Sequence, residues 1–218
     1  LAHEIKNPLT PIQLTIDKLK NKYSKNFEKK ENEDFTNNLK VIDKQIKQIE
    51  NLVNEFSDFA RMPKPILKDN NLIPIIKDNI NLLKEFDTNT NIELIYDKDK
   101  ITLNSDYEQL SRVFLNLIKN SIESIQAKNQ NNHNYIGKIT LVLNENNDYI
   151  EFTIVDNGEG FASFKNNVKS ILNPYFTTKE KGTGLGLAIV NKILNDHNAS
   201  IDFFEINDGA KIFIKFKK

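Results

Sequence analysis

The sequence predicts an α+β fold: a dimeric antiparallel helical hairpin, which closes a four-helix bundle with the hairpin of a second copy, and then helices packed on a mixed sheet. Three observations support this prediction. Apolar residues repeat at heptad spacing through the first 62 residues, prolines interrupt the chain at 63 and 65, and helix-like and strand-like segments follow. With 218 residues, 39% of them hydrophobic, the chain is long enough to bury a core.

Two heptad series predict the two helices of the hairpin. In each series the residues are spaced alternately by four and three positions, so they share one helix face. The first series comprises Ile5, Leu9, Ile12, Ile16, Leu19 and Tyr23, and the second comprises Phe35, Leu39, Ile42, Ile46, Ile49, Val53 and Phe56. The polar stretch 24–33 between them allows the chain to reverse, which makes the two helices antiparallel.

The second helix carries more apolar surface than a hairpin alone can bury. Leu52 and Phe59 widen its stripe beyond a strict seam, and a large exposed apolar surface is unfavourable in water. Two hairpins from two copies would cover this surface in a four-helix bundle, so we expect a homodimer. The alternative, a hairpin packed onto the rest of one monomer, stays open from the sequence.

Pro63 and Pro65 end the second helix, because proline lacks an amide donor and pushes the residue before it out of helical geometry. The domain boundary therefore lies at this point. We expect a hairpin over residues 1–62, a linker over 63–71 and a second domain over 72–218.

Helices and strands alternate in the second domain. Helical spacing predicts helices over 72–86 and 185–196, and the capping-box pattern of residues 105–108 predicts a third helix that runs to about residue 127. Alternating apolar residues predict strands at 92–96, 101–103, 139–143, 149–155, 201–206 and 210–216. These elements predict helices over one face of a mixed sheet.

The composition excludes several kinds of site. Thirty basic and thirty acidic residues cancel, so the overall charge favours neither nucleic acid nor an anionic membrane surface as a partner. The absence of cysteine excludes disulfides, thiol nucleophiles and cysteine-ligated metals. No apolar run approaches the roughly 20 residues of a membrane-spanning helix. We expect a soluble, cytoplasmic chain, and because it begins with Leu1 we expect a fragment whose upstream part could carry an anchor in the bacterial inner membrane.

Two glycine-containing motifs suggest a site for a phosphate ligand. Asp156-Asn157-Gly158-Glu159-Gly160 puts a carboxylate at the end of a predicted strand, although an ordinary turn has the same composition. Gly182-Thr183-Gly184-Leu185-Gly186 precedes a predicted helix, whose first amides attract phosphate oxygens, and it matches neither the Walker nor the Rossmann pattern. Between the motifs lies the irregular stretch 174–179, which we expect to form a lid.

Asn116 and Asn120 stand one turn apart on the predicted long helix, with Glu123 three residues further on. Their side-chain oxygens share one face and could hold Mg²⁺ with its waters. Asparagine is common in this chain, so the pair alone is more typical of a solvated helix surface, and its weight comes from the other motifs.

Together these segments resemble the sensor histidine kinases of two-component systems. Asn116-Leu117-Ile118-Lys119-Asn120, the Asp156 motif, Tyr175-Phe176-Thr177-Thr178-Lys179 and the second glycine motif are similar to the N, G1, F and G2 boxes of that family, in the family's order. The opening residues 3–10 resemble its H box. Residues 3–14 are most similar to the nitrogen-regulation type, and the resemblance covers nearly the whole chain as a catalytic core fragment.

The resemblance implies an ATP- and Mg²⁺-dependent protein-histidine kinase. Residues 1–62 would form its dimerisation and phosphotransfer hairpin, and residues 72–218 its catalytic domain, an α/β sandwich of the histidine kinase/Hsp90-like type. The kinase would autophosphorylate His3 and transfer the phosphoryl group to an aspartate in the receiver domain of a response regulator, with phosphatase activity toward the same partner.

The resemblance also implies the residues that bind ATP. Asp156 would accept a hydrogen bond from the adenine amino group, and Gly158 and Gly160 would let the backbone pass the base. Asn120 would bind Mg²⁺ with support from Asn116. The phosphates would be lined by Lys179, Thr183, Gly184 and Gly186.

Glu123 departs from the family pattern. Many kinases of the superfamily have a phosphate-contacting lysine three residues after the metal-binding asparagine, where this chain has Glu123. The resemblance therefore leaves open which group supplies positive charge near the phosphates.

The heptad register places His3 and Asn7 away from the seam, facing solvent. A neutral imidazole has one nitrogen free to attack the γ-phosphate, and its N–H can donate to the neighbouring Glu4. By resemblance, Asn7 would position a water for removing phosphate from the partner. Local rules favour a helix that starts at Asn7, with Pro8 in its first turn, whereas the resemblance favours a continuous helix that includes His3.

Two other functions stay open from the sequence. One is a conformational ATPase similar to Hsp90 and MutL, against which Asn116 argues because those proteins have a glutamate there to activate water. The other is a non-catalytic dimeric scaffold, against which Asn120, Asp156 and the glycine motifs argue.

Overall fold

The computed structural model describes residues 2–23, 29–87, 89–129, 135–161, 168–179 and 182–218. The chain forms two compact units. The first, which we call the hairpin unit, comprises Leu1–Met62 and Thr177–Leu185; the second, the sheet unit, comprises Pro63–Phe176 and Gly186–Lys218. Within the described ranges we find no helix with both the length and the apolar character needed to cross a bilayer.

Two long helices form the hairpin, as predicted. They are α1 (Ala2–Tyr23) and α2 (Lys29–Ala60). Pro8 and Pro11 lie inside α1, so the helix start at Asn7 that local rules favour is wrong and the continuous helix is confirmed. Each interior proline disfavours an isolated helix by about 3 kcal/mol, and packing of α1 against α2 offsets this cost.

The heptad residues of the hairpin fall into a buried set and an exposed set, and we call the exposed set the exposed stripe. A buried cluster formed by Leu9, Ile16, Leu39 and Ile46, with Phe35 packed against it, joins α1 to α2. Other members of the seam stay between 37% and 45% exposed: Ile12, Leu19, Ile42, Ile49 and the flanking Leu52. The hairpin therefore has one apolar face that it buries itself and a second apolar stripe that one chain leaves in water.

The sheet unit contains seven strands and three helices in its described ranges. Its elements are β1 (Lys68–Asn71), α3 (Leu72–Lys84), β2 (Thr90–Tyr96), β3 (Thr102–Ser105), α4 (Tyr107–Asn129), β4 (Gly137–Glu145), β5 (Tyr149–Asp156), the short 3-10 helix Val168–Leu172, α5 (Gly186–Asp196), β6 (Ala199–Glu205) and β7 (Ala210–Lys217). Five strands form one sheet in the order β2-β4-β5-β7-β6. The β2–β4 pair is parallel and the other pairs are antiparallel, which confirms the predicted mixed sheet.

The core of the sheet unit lies between the sheet and its helices. Helix α4 packs on β4 and β5, α5 packs on β6, and α3 packs on β2. Every second residue of β5 and β7 is buried, as expected for strands with one face covered. The fully buried rings of Phe114 and Phe152 meet edge to face with 5.0 Å between centroids.

Strand β1 was not predicted. It lies in the segment expected to be a linker and pairs antiparallel with β3 in a separate two-stranded sheet. Its sequence, Lys68-Asp69-Asn70-Asn71, contains no β-branched or aromatic residue, so strand propensity argues against it. The pairing is reinforced by the Asn70 side chain, whose Nδ2 donates to the carbonyl oxygen of Ser105 at 2.7 Å.

The cap of α4 is one residue later than the predicted capping box places it. Asp106 Oδ1 accepts the Gln109 N–H at 3.0 Å, and Asp106 Oδ2 accepts the Ile66 N–H at 2.8 Å. Ser105 is instead the buried last residue of β3. The Gln109 side chain also donates to the carbonyl of Pro63 at 3.0 Å, so the start of α4 fastens the segment 63–66.

We predict that Asp106→Ala lowers the free energy of unfolding of the sheet unit by about 1–3 kcal/mol, because it removes the helix cap and leaves the Ile66 amide without its acceptor. Urea denaturation of the full chain measures this change. Asp99→Ala, in the exposed turn after β2, is the matched control and should change stability by less than about 0.5 kcal/mol. Equal losses in the two variants would contradict the assignment of Asp106 as the cap.

Candidate functional site

A buried carboxylate ends β5. Asp156 is 5% exposed and accepts hydrogen bonds from Ser121 Oγ on α4 and from the Gly158 N–H, both at 2.9 Å. The backbone of Ala210 on β7 provides a further hydrogen bond. Burial raises the pKa of Asp156 above its ordinary value, while the hydrogen bonds from Gly158, Ser121 and Ala210 act in the opposite direction. A carboxyl group with this perturbation, set at a strand end, is typical of a ligand-binding position.

Three glycines allow α4, the loop after Asp156 and the turn between β6 and β7 to lie close together beside Asp156. A Cβ on Gly158 would lie 2.9 Å from the backbone carbonyl carbon of Ser124 on α4. Gly160 has φ +72°, and its added Cβ would lie 2.5 Å from the carbonyl oxygen of Gly209 in the turn between β6 and β7. Gly209 itself has φ +111°, and a Cβ there would overlap the carbonyl oxygen of Asp156. Gly209 lies between the predicted strands 201–206 and 210–216, and nothing in the sequence indicated that it lies beside the site.

Asn116 faces the start of α5. Its Nδ2 donates to the carbonyl of Arg112 at 2.8 Å, and a Cβ on Gly186 would lie 3.0 Å from its Oδ1. Gly186 is the first residue of α5, and the first amides of a helix have no partner within the helix and attract anions. Asn120 lies one turn further along α4 and is half-buried. An amide oxygen and a helix N-terminus therefore occur together in the sheet unit.

Three of the residues predicted to line the phosphates belong to the hairpin unit. Lys179, Thr183 and Gly184 lie in its segment Thr177–Leu185. The Thr183 hydroxyl donates to the carboxylate of Glu55 on α2, and the backbone N–H of Lys179 donates to Thr177 Oγ at 3.1 Å. The structure thus groups Asn116, Asn120, Asp156, Gly158, Gly160 and Gly186 in one unit and these three residues in the other.

The predicted nucleophile lies on α1. His3, Glu4 and Asn7 are all within the helix Ala2–Tyr23, and their side chains lie outside the described residues. Glu123, which departs from the family pattern, forms an ion pair with Lys119 at 3.9 Å on the surface of α4.

Sequence reasoning missed the residues of α4 that support the Asp156 segment. The Ser121 hydroxyl donates to the Asp156 carboxylate, and the Ser124 hydroxyl accepts from the N–H of residue 159. Lys128 donates to the carbonyl oxygens of residues 157 and 158. For Ser124 and Lys128 the available signal was the four-residue spacing that begins with Asn116 and Asn120, whereas Ser121 lies outside that series.

Relatives with matching sequences are proteins much longer than this chain. It is 35% identical over 218 residues to nitrogen regulation protein NtrY of Azorhizobium caulinodans, an alignment that covers 99% of the chain and 27% of that protein. It is 37% identical over 219 residues to the NtrY-like protein of Rickettsia prowazekii, covering 99% and 35%. It is 30% identical over 204 residues to sporulation kinase A of Bacillus subtilis, covering 92% and 30%. The chain thus spans about a third or less of each relative's length.

Solved structures share the fold. The catalytic domain of the histidine kinase ThkA superposes with a TM-score of 0.61 at 24% identity, covering 70% of this chain and 95% of that one. Full-length ShkA in complex with AMPPNP superposes with a TM-score of 0.74 at 19% identity, covering 99% and 44%. At these identities the similarity establishes the fold.

Two family models match separate parts of the chain. Residues 1–65 match the His Kinase A (phospho-acceptor) domain. Residues 105–218, more than half of the chain, match the histidine kinase-, DNA gyrase B- and HSP90-like ATPases, and an ATPase domain of this kind implies ATP binding. With its buried strand-end carboxylate, its amide-bearing helix α4 and its phospho-acceptor hairpin, the chain belongs to the sensor histidine kinases, within the family of histidine kinase-, DNA gyrase B- and HSP90-like ATPases.

Proposed function

We propose that this chain is the catalytic core of an ATP-dependent protein-histidine kinase that autophosphorylates His3 and transfers the phosphoryl group to an aspartate in the receiver domain of a response regulator. The observation that carries the proposal is that one chain joins a phospho-acceptor helix containing His3 to a sheet unit with a hydrogen-bonded carboxylate at a strand end. The similarity to nitrogen regulation protein NtrY supports a regulator of the nitrogen type.

Asp156 is suited to binding the adenine amino group. An ionised carboxylate offers about four acceptor positions, and donors from Ser121, Gly158 and Ala210 use three of them. The remaining position would accept the amino hydrogen, and Gly158 and Gly160 would let the backbone lie close to the base. Guanine has a carbonyl oxygen at the corresponding position, so this carboxylate would favour adenine.

Asn120 is our candidate ligand for Mg²⁺, with Asn116 beside it. In the part of the chain that the structure describes, no group of three or more histidine or acidic side chains is placed to hold a metal ion. Amide oxygens suit Mg²⁺, which binds few protein ligands and keeps several waters and phosphate oxygens. When bound, Mg²⁺ would neutralise charge on the phosphates during transfer.

Positive potential near the phosphates would come from several groups. The first amides of α5, at Gly186, offer hydrogen bonds and the positive end of a helix. Lys179, Thr183 and Gly184 of the segment Thr177–Leu185 would supply further contacts when nucleotide binds. These groups would supply the phosphate contacts that a lysine makes in many kinases of the superfamily, at the position where this chain has Glu123.

The reaction at His3 would be an in-line displacement. The unprotonated imidazole nitrogen of His3 forms a bond to the γ-phosphorus while the bond from that phosphorus to the bridging oxygen breaks and ADP leaves. The N–H on the other ring nitrogen would donate to Glu4, which would stabilise the cation that forms. In the next step the N–P bond breaks as a carboxylate oxygen of the regulator bonds to phosphorus, and neutral imidazole returns. Asn7 would position a water for the phosphatase reaction.

A homodimer would explain the exposed stripe of the hairpin. Ile12, Leu19, Ile42 and Ile49 lie at heptad spacing on the hairpin and remain more than a third exposed. A second hairpin with the same stripe would bury both in a four-helix bundle. The buried half, around Ile16 and Ile46, is already complete in one chain and would form the other side of the same bundle.

The two alternatives receive no comparable support. A conformational ATPase needs a base to activate water, and Asn116 has a neutral amide bonded to the Arg112 carbonyl at the position where those proteins have a glutamate. A scaffold without catalysis would not need the buried, hydrogen-bonded Asp156.

Replacing the nucleophile should separate chemistry from binding. We predict that His3→Ala abolishes acid-labile labelling from γ-³²P-ATP, because no other group takes its place, while Mg-ATP affinity stays within about twofold of that of the unchanged chain. Incubation of the purified full chain with Mg-ATP, followed by acid treatment and mass spectrometry, makes the measurement. His133→Ala is the control and should keep its label. Undiminished labelling of His3→Ala would refute His3 as the acceptor.

Charges on the exposed stripe should separate the dimer. Ile42→Glu combined with Ile49→Glu places carboxylates in the proposed bundle core, so we expect dimerisation to weaken by at least about 100-fold. Light scattering after size-exclusion chromatography reports the mass. Lys40→Glu with Lys44→Glu, at exposed polar positions of α2, should leave the dimer intact. A dimer that survives the isoleucine changes would place the interface elsewhere.

Nucleotide affinity should fall as Asp156 becomes protonated. Because burial raises the pKa of Asp156, the ionised acceptor is fully present only well above that pKa, and affinity decreases as the pH falls through it. Ser121→Ala removes a hydrogen bond that lowers the pKa, so the decrease should move to higher pH. Carbon NMR of the carboxyl group gives the titration, and competition binding of Mg-ADP gives the affinity. Ser200→Ala, at an exposed position on β6, is the control and should change neither the titration of the carboxyl group nor the pH dependence of Mg-ADP affinity. If the pH dependence of affinity were the same for Ser121→Ala and the unchanged chain, this role of Asp156 would be contradicted.

A further inference from the structure

The polar stripe on α4 extends beyond the candidate Mg²⁺ ligands. Asn116, Asn120, Ser124 and Lys128 follow one another at four-residue spacing, so they lie along one side of the helix. Ser124 and Lys128 contact residues 157–160, which we call the Asp156 loop. The stripe therefore connects the proposed phosphate end of the site to its adenine end.

Lys128 holds the Asp156 loop from outside. Its Nζ lies 2.9 Å from the carbonyl oxygen of Asn157 and 3.0 Å from that of Gly158. The same ammonium forms an ion pair with Asp208 in the turn between β6 and β7. An ammonium has three N–H donors, and these three acceptors use all of them. Tyr135, whose ring centroid lies 4.8 Å from Lys128 Nζ, also donates its hydroxyl to the Asn157 carbonyl.

These contacts hold two peptide groups of the loop, each through both its carbonyl oxygen and its N–H. The Asn157 carbonyl accepts from Lys128, while the N–H of the same peptide group, on Gly158, donates to Asp156 Oδ1 at 2.9 Å. The Gly158 carbonyl accepts from Lys128, while the N–H of the next residue donates to Ser124 Oγ at 2.9 Å. Because a peptide group is planar, holding its carbonyl also orients its N–H. Lys128 thereby fixes the amide that orients the Asp156 carboxylate.

Asp208 extends this restraint to the β6–β7 turn. The next residue, Gly209, approaches so closely that an added Cβ would lie 2.7 Å from Asn157 Cα. The hydrogen bond from Lys128 lowers the pKa of Asp208, so its carboxylate stays charged at neutral pH. The side chains of Lys128 and Asp208 are 30% and 65% exposed, and an ion pair this open to solvent contributes little to overall stability. The effect of the pair is therefore local to the loop.

We propose that Lys128, held by Asp208, is a positioning residue for adenine recognition. The proposal rests on the proposed function, since it requires the Asp156 loop to receive the adenine of ATP. Lys128 acts through the loop peptides and does not contact the base. Without it the peptides can rotate, and the hydrogen bond that distinguishes adenine from guanine weakens, whereas contacts to the triphosphate made elsewhere remain.

Nucleotide preference tests this role. Dissociation constants of Mg-ATP and Mg-GTP are measured on the full chain by competition with a fluorescent ADP analogue. For Lys128→Met we expect Mg-ATP affinity to fall about tenfold and Mg-GTP affinity to stay within about twofold, so the preference for adenine falls about tenfold. Lys128→Arg, which keeps the charge and several donors, should recover part of the loss.

Lys98→Met is the matched control, because Lys98 also pairs with a carboxylate, that of Glu145 at 2.7 Å, away from the loop. It should leave both affinities unchanged. Lys128→Met should also accelerate hydrogen exchange of the amides of residues 158 and 159. Asp208→Asn should lower the adenine preference about threefold and add nothing to Lys128→Met, because the two residues act through one contact.

A purely structural role would lower the melting temperature without changing the preference between Mg-ATP and Mg-GTP. A folded Lys128→Met protein with unchanged preference and unchanged exchange would overturn the proposal. Should Lys128→Met fail to melt cooperatively, Asp208→Asn decides, and an unchanged preference there overturns it as well. Failure of the unchanged chain to bind Mg-ATP would overturn the proposed function too, whereas binding that Lys128→Met leaves unaffected overturns the role of Lys128 alone.

Discussion

Asp156 keeps a carboxylate out of water at the end of a strand, and a buried charge is strongly unfavourable unless hydrogen bonds satisfy it. Its donors come from three places in the chain: Ser121 on α4, Gly158 in the following loop and Ala210 on β7. These hydrogen bonds oppose the burial that raises the pKa of Asp156, so the helix, the loop and the strand must be held in one arrangement to favour the ionised form. The mixed sheet and the helices packed on it supply that rigidity, and a binding group on such a support keeps its geometry before the ligand arrives.

Glycine is required at this junction for reasons of space as much as backbone angle. Gly158 lies against α4, and Gly160 and Gly209 face each other across the loop and the β6–β7 turn. Any side chain at Gly209 would have to occupy the volume of the Asp156 backbone while adopting a φ of +111°. The candidate site is thus built from residues distant in sequence whose backbones touch, and the ligand contacts are only one of the demands on them.

Most of the fold could be predicted because burial repeats along each element. The heptads give α1 and α2, and the alternation of apolar residues gives β4, β5 and β7, since both periodicities follow from local geometry. Strand β1 could not be predicted, because its polar sequence is held by pairing with β3 and by Asn70, which are contacts with a distant segment. The cap of α4 was displaced by one residue because Ser105 is needed inside β3, leaving Asp106 to bond both Gln109 and Ile66.

The candidate site divides in the same way. The motifs around Asn116 and Asp156 were recognisable because their residues are neighbours in sequence. Lys128 and Asp208 were missed because they lie 80 positions apart and acquire a role only when the β6–β7 turn reaches the end of α4.

The exposed stripe of the hairpin would also make the folding of the two units depend differently on protein concentration. The sheet unit completes its core within one chain, so its folding equilibrium is unimolecular and independent of how much protein is present. Ile12, Ile42 and Ile49 of the hairpin are exposed in one chain. If the proposed homodimer covers them, association and folding of the hairpin are linked by mass action. Dilution would then shift the thermal transition of the hairpin toward lower temperature while that of the sheet unit stays in place, and cellular abundance would become a determinant of how much competent phospho-acceptor exists.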